Sequence, residues 1–184
     1  VNALMFVVEI GAGLRSGSVS LLADSLDFLG DAANYAISLA VLGLALRWRA
    51  SAALLKAATM AGFGLWVILT MVQHVVSGTV PNAPTMGAVG AVAMLANLGV
   101  ALLLYRFRDG DSNMASVWIC TRNDVIGNIA VIAAAAGVFG TRTGWPDVAV
   151  AAIMAGLALT GAWRVFRQAR QELRQPEAAV AVSD

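Results

Sequence analysis

Apolar residues run along this chain in six long stretches separated by short polar punctuation, and none of the stretches alternates with a period of two. They cover Val1–Leu14, Ser18–Leu46, Ala53–Val76, Thr85–Tyr105, Ser112–Phe139 and Pro146–Phe166. Hydrocarbon accepts only helices or closed barrels, because an unpaired backbone amide there is expensive. Without the dyad pattern of a barrel strand, each stretch is predicted to be a helix. The punctuation agrees: SGTVPNAP separates the third and fourth, RDGDSN the fourth and fifth, and GTRTGWPD the fifth and sixth. Pro146 suits the first turn of a helix, where its missing N–H leaves nothing unpaired. The first stretch is shorter than the roughly 20 residues of a full span, so the first helix is expected to be short or incomplete at its N-terminus.

Composition turns these helices into membrane spans. Hydrophobic residues make up 59% of the 184 and charged ones 12%, and the mean hydropathy is +0.77. That is too apolar for a soluble domain of this length, and it predicts an all-α integral membrane protein of six transmembrane helices. Glu9 interrupts the first run and no basic segment precedes it, which excludes a signal peptide. The net charge of +1 and the scattered cations exclude a nucleic-acid-binding surface. A single Cys excludes an internal disulfide framework.

Orientation follows from the cations. Arg47, Arg49, Lys56, Arg106, Arg108, Arg164, Arg167, Arg170 and Arg174 flank the even-numbered loops and the C-terminal end; Arg15 and Arg142 alone flank the opposite face. This bias places the even loops and the C-terminus in the cytoplasm, and a bacterial inner membrane is the expected location. Residues 1–172 are expected to form the transmembrane domain and 173–184 a short cytoplasmic tail that frays after Pro176. Trp48, Trp66, Trp118, Trp145 and Trp163 mostly fall near span ends, as in an aromatic belt.

Against this background the acids of the second helix are costly. Asp27 and Asp31 are four residues apart and so share one helix face; Cys120 and Asp124 repeat that spacing in the fifth helix. Counted at about 1.5 Å per residue from the non-cytoplasmic ends, Asp31 and Asp124 both lie roughly 20 Å deep. Convergence of the two helices would offer three carboxylates and a thiol, a donor set suited to tetrahedral Zn²⁺ and also to Cd²⁺ or Co²⁺. Without metal the crowded carboxylates repel one another, so protons are expected to fill the site. Metal must displace them, which couples metal movement to proton movement.

At this point the residues resemble a family, the cation diffusion facilitators. SGSVSLLADSLDFLGDA is similar to that family's second helix and CTRNDVIGNIAVI to its fifth, while GWPDVAVAAIMAGLALTGAWRVFR, with Asp147, is similar to its sixth. Asn97 and Asn128 match common Asn positions in the fourth and fifth. The resemblance implies a six-helix divalent-metal transporter of proton-antiport type. It implies Asp27, Asp31, Cys120 and Asp124 as transport-site ligands, the metal as cargo rather than cofactor, and a possible homodimer. Three departures stand out. Cys120 replaces the usual His, which favours Zn²⁺ or Cd²⁺ over Mn²⁺. The cytoplasmic domain that commonly follows the sixth helix is absent from the sequence, so regulation or dimerisation through it is not expected. RFRDGDSN stands where some members carry a His-rich loop.

The remaining polar residues have structural readings beside functional ones. Asp24 is expected either in a water-filled vestibule or near the interface, in an accessory role. Arg122 cannot shed its proton and needs an acid, with Asp24, Glu9 or a site carboxylate as candidates. Glu9 is expected to be a buried partner rather than a ligand. Asn128, one turn beyond Asp124, is either interhelical glue or an orienting group for it. His74 is expected to snorkel at the end of the third helix, and Ala58 with Gly62 fits a small-residue helix seam.

Two other functions compete. An intramembrane aspartyl hydrolase would use two of the acids as a dyad, yet they pair within helices and lack a catalytic surround. A passive channel would use them for cation selection, yet a converged low-coordination site would hold ions too tightly for fast conduction.

Overall fold

The computed structural model describes residues 1–40, 46–105 and 112–174; the side chains of 34–35, 37–39, 46, 104 and 112–123 lie outside that description. All regular structure among the described residues is helical: α1 (Asn2–Ser16), α2 (Val19–Ala40), α3 (Leu46–Ser77), α4 (Ala83–Tyr105), α5 (Ser112–Thr141) and α6 (Trp145–Arg174). The six predicted stretches are six helices, but two of them overrun their predicted ends. α3 starts at Leu46 rather than Ala53, and α6 runs to Arg174 rather than Phe166. Charged residues mark where apolar surroundings end, not where a helix ends. Ser51 Oγ donates to the Arg47 carbonyl at 2.8 Å, and Gln168 pairs with Glu172 one turn on at 3.1 Å. The proposed tail at 173–184 therefore begins inside α6, and residues 175–184 lie outside the described residues.

Among the described residues, four helices are long and apolar enough to cross a membrane by themselves: Arg47–Ser77, Ala83–Leu103, Asp124–Thr141 and Trp145–Arg174. α1 is too short at 15 residues, and every long window of the 22-residue α2 contains Asp24, Asp27 and Asp31. α2 is instead the most enclosed helix. Its Val19, Leu21, Leu22 and Leu26 join Val67 of α3, Met86 of α4 and Val131 of α5 in one apolar core.

Four helices form a bundle in which α1 lies on α2 and α4, and α5 lies on α4 and α2. α3 and α6 form the most closely associated pair, set against α2 and α5. Gly64 makes that pairing possible, because a Cβ there would meet the Leu159 side chain of α6 at 2.9 Å. The Ala58–Gly62 seam expected on α3 is instead exposed, with open space at Gly62. Leu65, Leu69, Leu95, Leu102, Ile153 and Leu157 also face outward, as a lipid-facing surface requires. Trp48 and Trp145 are exposed near helix ends and Trp163 is exposed within α6, whereas Trp66 packs edge-on against Phe63.

The bundle is locked at the end that carries the α1–α2, α3–α4 and α5–α6 connections. Gly17, at φ 69°, ends α1 in the left-handed conformation that glycine adopts freely. α2 then starts with unpaired N–H groups, as every helix does. Asp147, 1% exposed in the first turn of α6, caps them from across the fold. Its carboxylate accepts from Ser18 Oγ at 2.8 Å, Val19 N at 2.8 Å and Ser20 N at 3.0 Å. One carboxylate thus serves the positive ends of two helices. Asn82 N adds a bond to the Ser16 carbonyl at 2.8 Å, which ties the α3–α4 connection to the α1–α2 turn.

Asp147→Ala would leave these buried donors unpaired. A loss of about 2 kcal/mol is expected, read as a lower unfolding midpoint in detergent. An unchanged midpoint would contradict the capping role.

Candidate metal-ion site

The helical spacing that puts Asp27 and Asp31 on one face of α2 aims both into a cavity of about 630 Å³ between α2, α3, α5 and α6. Asp124 of α5 lines the same cavity, and it is within electrostatic reach of both. The rest of the wall is mainly apolar, with Met60 of α3 and Val150, Met154 and Leu157 of α6. Such surroundings screen charge poorly, so the three acids sense one another strongly. All three are partly exposed to the cavity rather than packed shut.

Asp31 has a second outlook. It also lines a smaller cavity of about 360 Å³ with Asn2 and Asn97, and Asn2 Nδ2 donates to its Oδ2 at 3.2 Å. It therefore stands between two cavities, one on either side of α2.

The remaining predicted residues fall in distinct places. Asp24 is 1% exposed, which rules out a vestibule position in this state. Glu9 is 0% exposed, as expected of a buried partner, and its neighbour is Asp24. Asn128 donates to the backbone carbonyl of Asp124 at 2.8 Å, not to the carboxylate, so it holds the helix turn rather than the ligand atoms. His74 is partly buried near the α1–α2 turn and lines a separate small cavity with Thr79 and Arg142. Cys120 and Arg122 lie on α5, but their side chains are outside the described residues. Among the described residues, no three His, Cys, Asp or Glu side chains close to metal-ligand geometry.

Lys56 reads in the sequence only as a cation flanking the second loop, at the start of the predicted helix Ala53–Val76; it also lines the acid cavity on α3 and acts electrostatically on Asp31. The signal was present, since Lys56 and Met60 are four apart and share a helix face.

Helices of membrane-spanning length around a carboxylate-lined cavity define an integral membrane protein that keeps acids inside an apolar bundle. Comparison with known proteins gives the family. A family model described as the cation efflux transmembrane domain matches residues 1–174, and the chain belongs to that family. It is 25% identical over 186 residues to the zinc transporter ZitB of Pectobacterium atrosepticum, covering 94% of this chain and 58% of that protein. It is 21% identical over 173 residues to the metal cation efflux system protein CzcD of Cupriavidus metallidurans, covering 88% of this chain and 55% of that protein. The chain thus spans little more than half the length of the curated relatives it matches, and those relatives are named as transporters rather than enzymes.

A cation bound in the acid cavity would be repelled by the Lys56 ammonium. Lys56→Gln is expected to tighten Zn²⁺ binding several-fold in isothermal titration, and weaker binding would contradict this placement.

Proposed function

We propose that the protein exports a divalent transition-metal ion of the Zn²⁺, Cd²⁺ and Co²⁺ class from the cytoplasm, in exchange for protons, by alternating access. The observation that carries this reading is that Asp27, Asp31 and Asp124, from two helices, line one cavity inside an apolar bundle. Acids in that setting are stable only when neutralised, and a proton or a metal ion can serve in turn. The relatives named as a zinc transporter and as a metal cation efflux system protein support this reading.

In this mechanism the ion enters from the cytoplasmic side and meets Asp31 first, because Asp31 also borders the cavity shared with Asn2 and Asn97. Asp27 and Asp124 then replace its remaining water. Cys120, on the same face of α5 as Asp124, completes the set as a thiolate and biases it toward softer metals. The acids have to close around the ion by side-chain rotation or helix movement, since they line a cavity wide enough to admit it with part of its hydration shell. Closure on one side and opening on the other releases the ion, and protons then return to the carboxylates. The metal is cargo, and no resident cofactor takes part.

The reading also places the even-numbered loops and the C-terminus in the cytoplasm of a bacterial inner membrane, with two copies pairing through transmembrane helices. The arginines at the ends of α3 and α6 support that orientation.

Purified protein in proteoliposomes tests the central step. Zn²⁺ uptake into vesicles with an acidic lumen is expected to exceed uptake without a gradient, and Asp31→Ala or Asp124→Ala is expected to abolish it while the protein stays folded. Wild-type flux in either variant would remove the site assignment, and flux indifferent to the gradient would remove antiport. Cys120→Ser is expected to weaken Cd²⁺ binding more than Mn²⁺ binding; unchanged Cd²⁺ affinity would remove the thiolate from the site.

A further inference from the structure

A second polar group lies beside the cavity, and nothing described so far uses it. Glu9 of α1 is 0% exposed, Asp24 of α2 1% and Asn128 of α5 0%. Among the described residues, four of their atoms are buried with no hydrogen-bond partner: Glu9 Oε1 and Oε2, Asp24 Oδ2 and Asn128 Oδ1. All four are acceptors when the carboxyls are ionised. The two carboxyl groups face each other. Asp24 Oδ1 also rests against α5, 3.8 Å from where a Cβ on Gly127 would stand. Asn128 is the next residue, and its Nδ2 is already committed to the Asp124 carbonyl. Its oxygen is left asking for a donor.

Acceptors without donors are not stable in an apolar interior. Something must bring positive charge or an O–H group to them. A metal ion does not suit: with these groups almost wholly enclosed there is no route for a hydrated ion, and among the described residues no three ligand side chains converge. A proton needs no set of converging ligands, only a hydrogen-bonded path. Bound to one carboxyl, it converts an acceptor into a donor and lets the pair share a hydrogen bond.

The placement along the bundle gives this pair a direction. Asp24 lies one turn from Asp27, and Asn128 one turn from Asp124, each displaced toward the end where Asp147 caps α2; Glu9 lies on the α1 segment leading to the same end. A helical turn is about 5.4 Å. In the orientation proposed above, that is the non-cytoplasmic side, from which the exchanged protons come.

We propose that Glu9, partnered by Asp24, is a proton-binding site separate from the metal cavity that holds the counter-transported proton and delivers it inward. This rests on the antiport reading. When the metal leaves, the O–H bond of the Glu9–Asp24 pair breaks as one forms on the carboxylate of Asp27 or Asp124, and the vacated carboxylate is refilled by a proton from the non-cytoplasmic side. Among the described residues, few other ionisable groups act on the pair. α2 itself contributes Asp27 and α5 contributes Asp124, while Asp31 and Lys56 line the neighbouring cavity; the side chains of Cys120 and Arg122 on α5 lie outside the described residues. Asp147 of α6 is occupied by its three capping bonds, and α4 carries no acid, amine or imidazole.

The test uses the full chain in proteoliposomes with a Zn²⁺-sensitive dye and a pH dye read together. Glu9→Gln keeps the size and hydrogen-bonding capacity of the side chain but cannot exchange a proton. It is expected to lower the number of protons moved per Zn²⁺ several-fold and to remove the acceleration by an acidic lumen, while Zn²⁺ still binds in isothermal titration. Asp24→Asn is expected to do the same, and it decides the matter alone where Glu9→Gln does not yield folded protein. A wild-type proton-to-zinc ratio in these variants overturns the proposal. If the wild-type protein itself shows no gradient-dependent Zn²⁺ flux, the antiport reading fails first, an outcome the wild-type trace separates from failure of the pair.

Discussion

The structure depends on one constraint: a carboxylate inside an apolar bundle must be neutralised by something. Apolar walls leave little water to do it, and among the described residues few fixed cations are available. Asp147 meets the constraint with hydrogen bonds, accepting three from the start of α2. Asp31 meets it in part, through Asn2 and through Lys56 nearby. Asp27 and Asp124 stand in a cavity, and Glu9 and Asp24 face each other with unpaired oxygens. The acids that are fixed thus hold the fold, and those that are not are free to exchange what neutralises them.

That division maps onto the architecture. At the end held by Asp147 and by the Asn82–Ser16 bond, the helix connections are tied together. Away from that end, the α3–α6 pair leans on α2 and α5 with the larger cavity between them. A bundle locked at one end and hollow further along can alter its hollow part without losing its core. α2 is central to both halves: its first turn is the capped one, and its next turns carry Asp24, Asp27 and Asp31.

The helices were legible in the sequence because apolar runs and Gly, Pro and Asn punctuation report the same boundaries. Their arginine-rich ends were less legible. Arg47 and Arg49 in α3, and the arginines from Arg164 onward in α6, mark the limit of the apolar layer but remain helical. The shared cavity of Asp27, Asp31 and Asp124 was legible from i,i+4 spacing and equal depth, both local properties. The cap by Asp147 was not: its partner Ser18 is 129 residues away, and an acid in the first turn of a helix already has a local explanation. The place of Lys56 at the acid cavity was not legible, because a lysine near a helix start reads first as a cation that sets orientation. Asp24 was left between two surroundings by the sequence, and only packing settled that it is buried.

Zinc-edge X-ray absorption on protein carrying one equivalent of Zn²⁺ addresses the central claim most directly, that intramembrane side chains rather than water neutralise the ion. The account predicts a four-coordinate ion with oxygen ligands near about 2.0 Å and one sulfur near about 2.3 Å. A six-coordinate shell of oxygen alone, the signature of a hydrated ion at the surface, would contradict it.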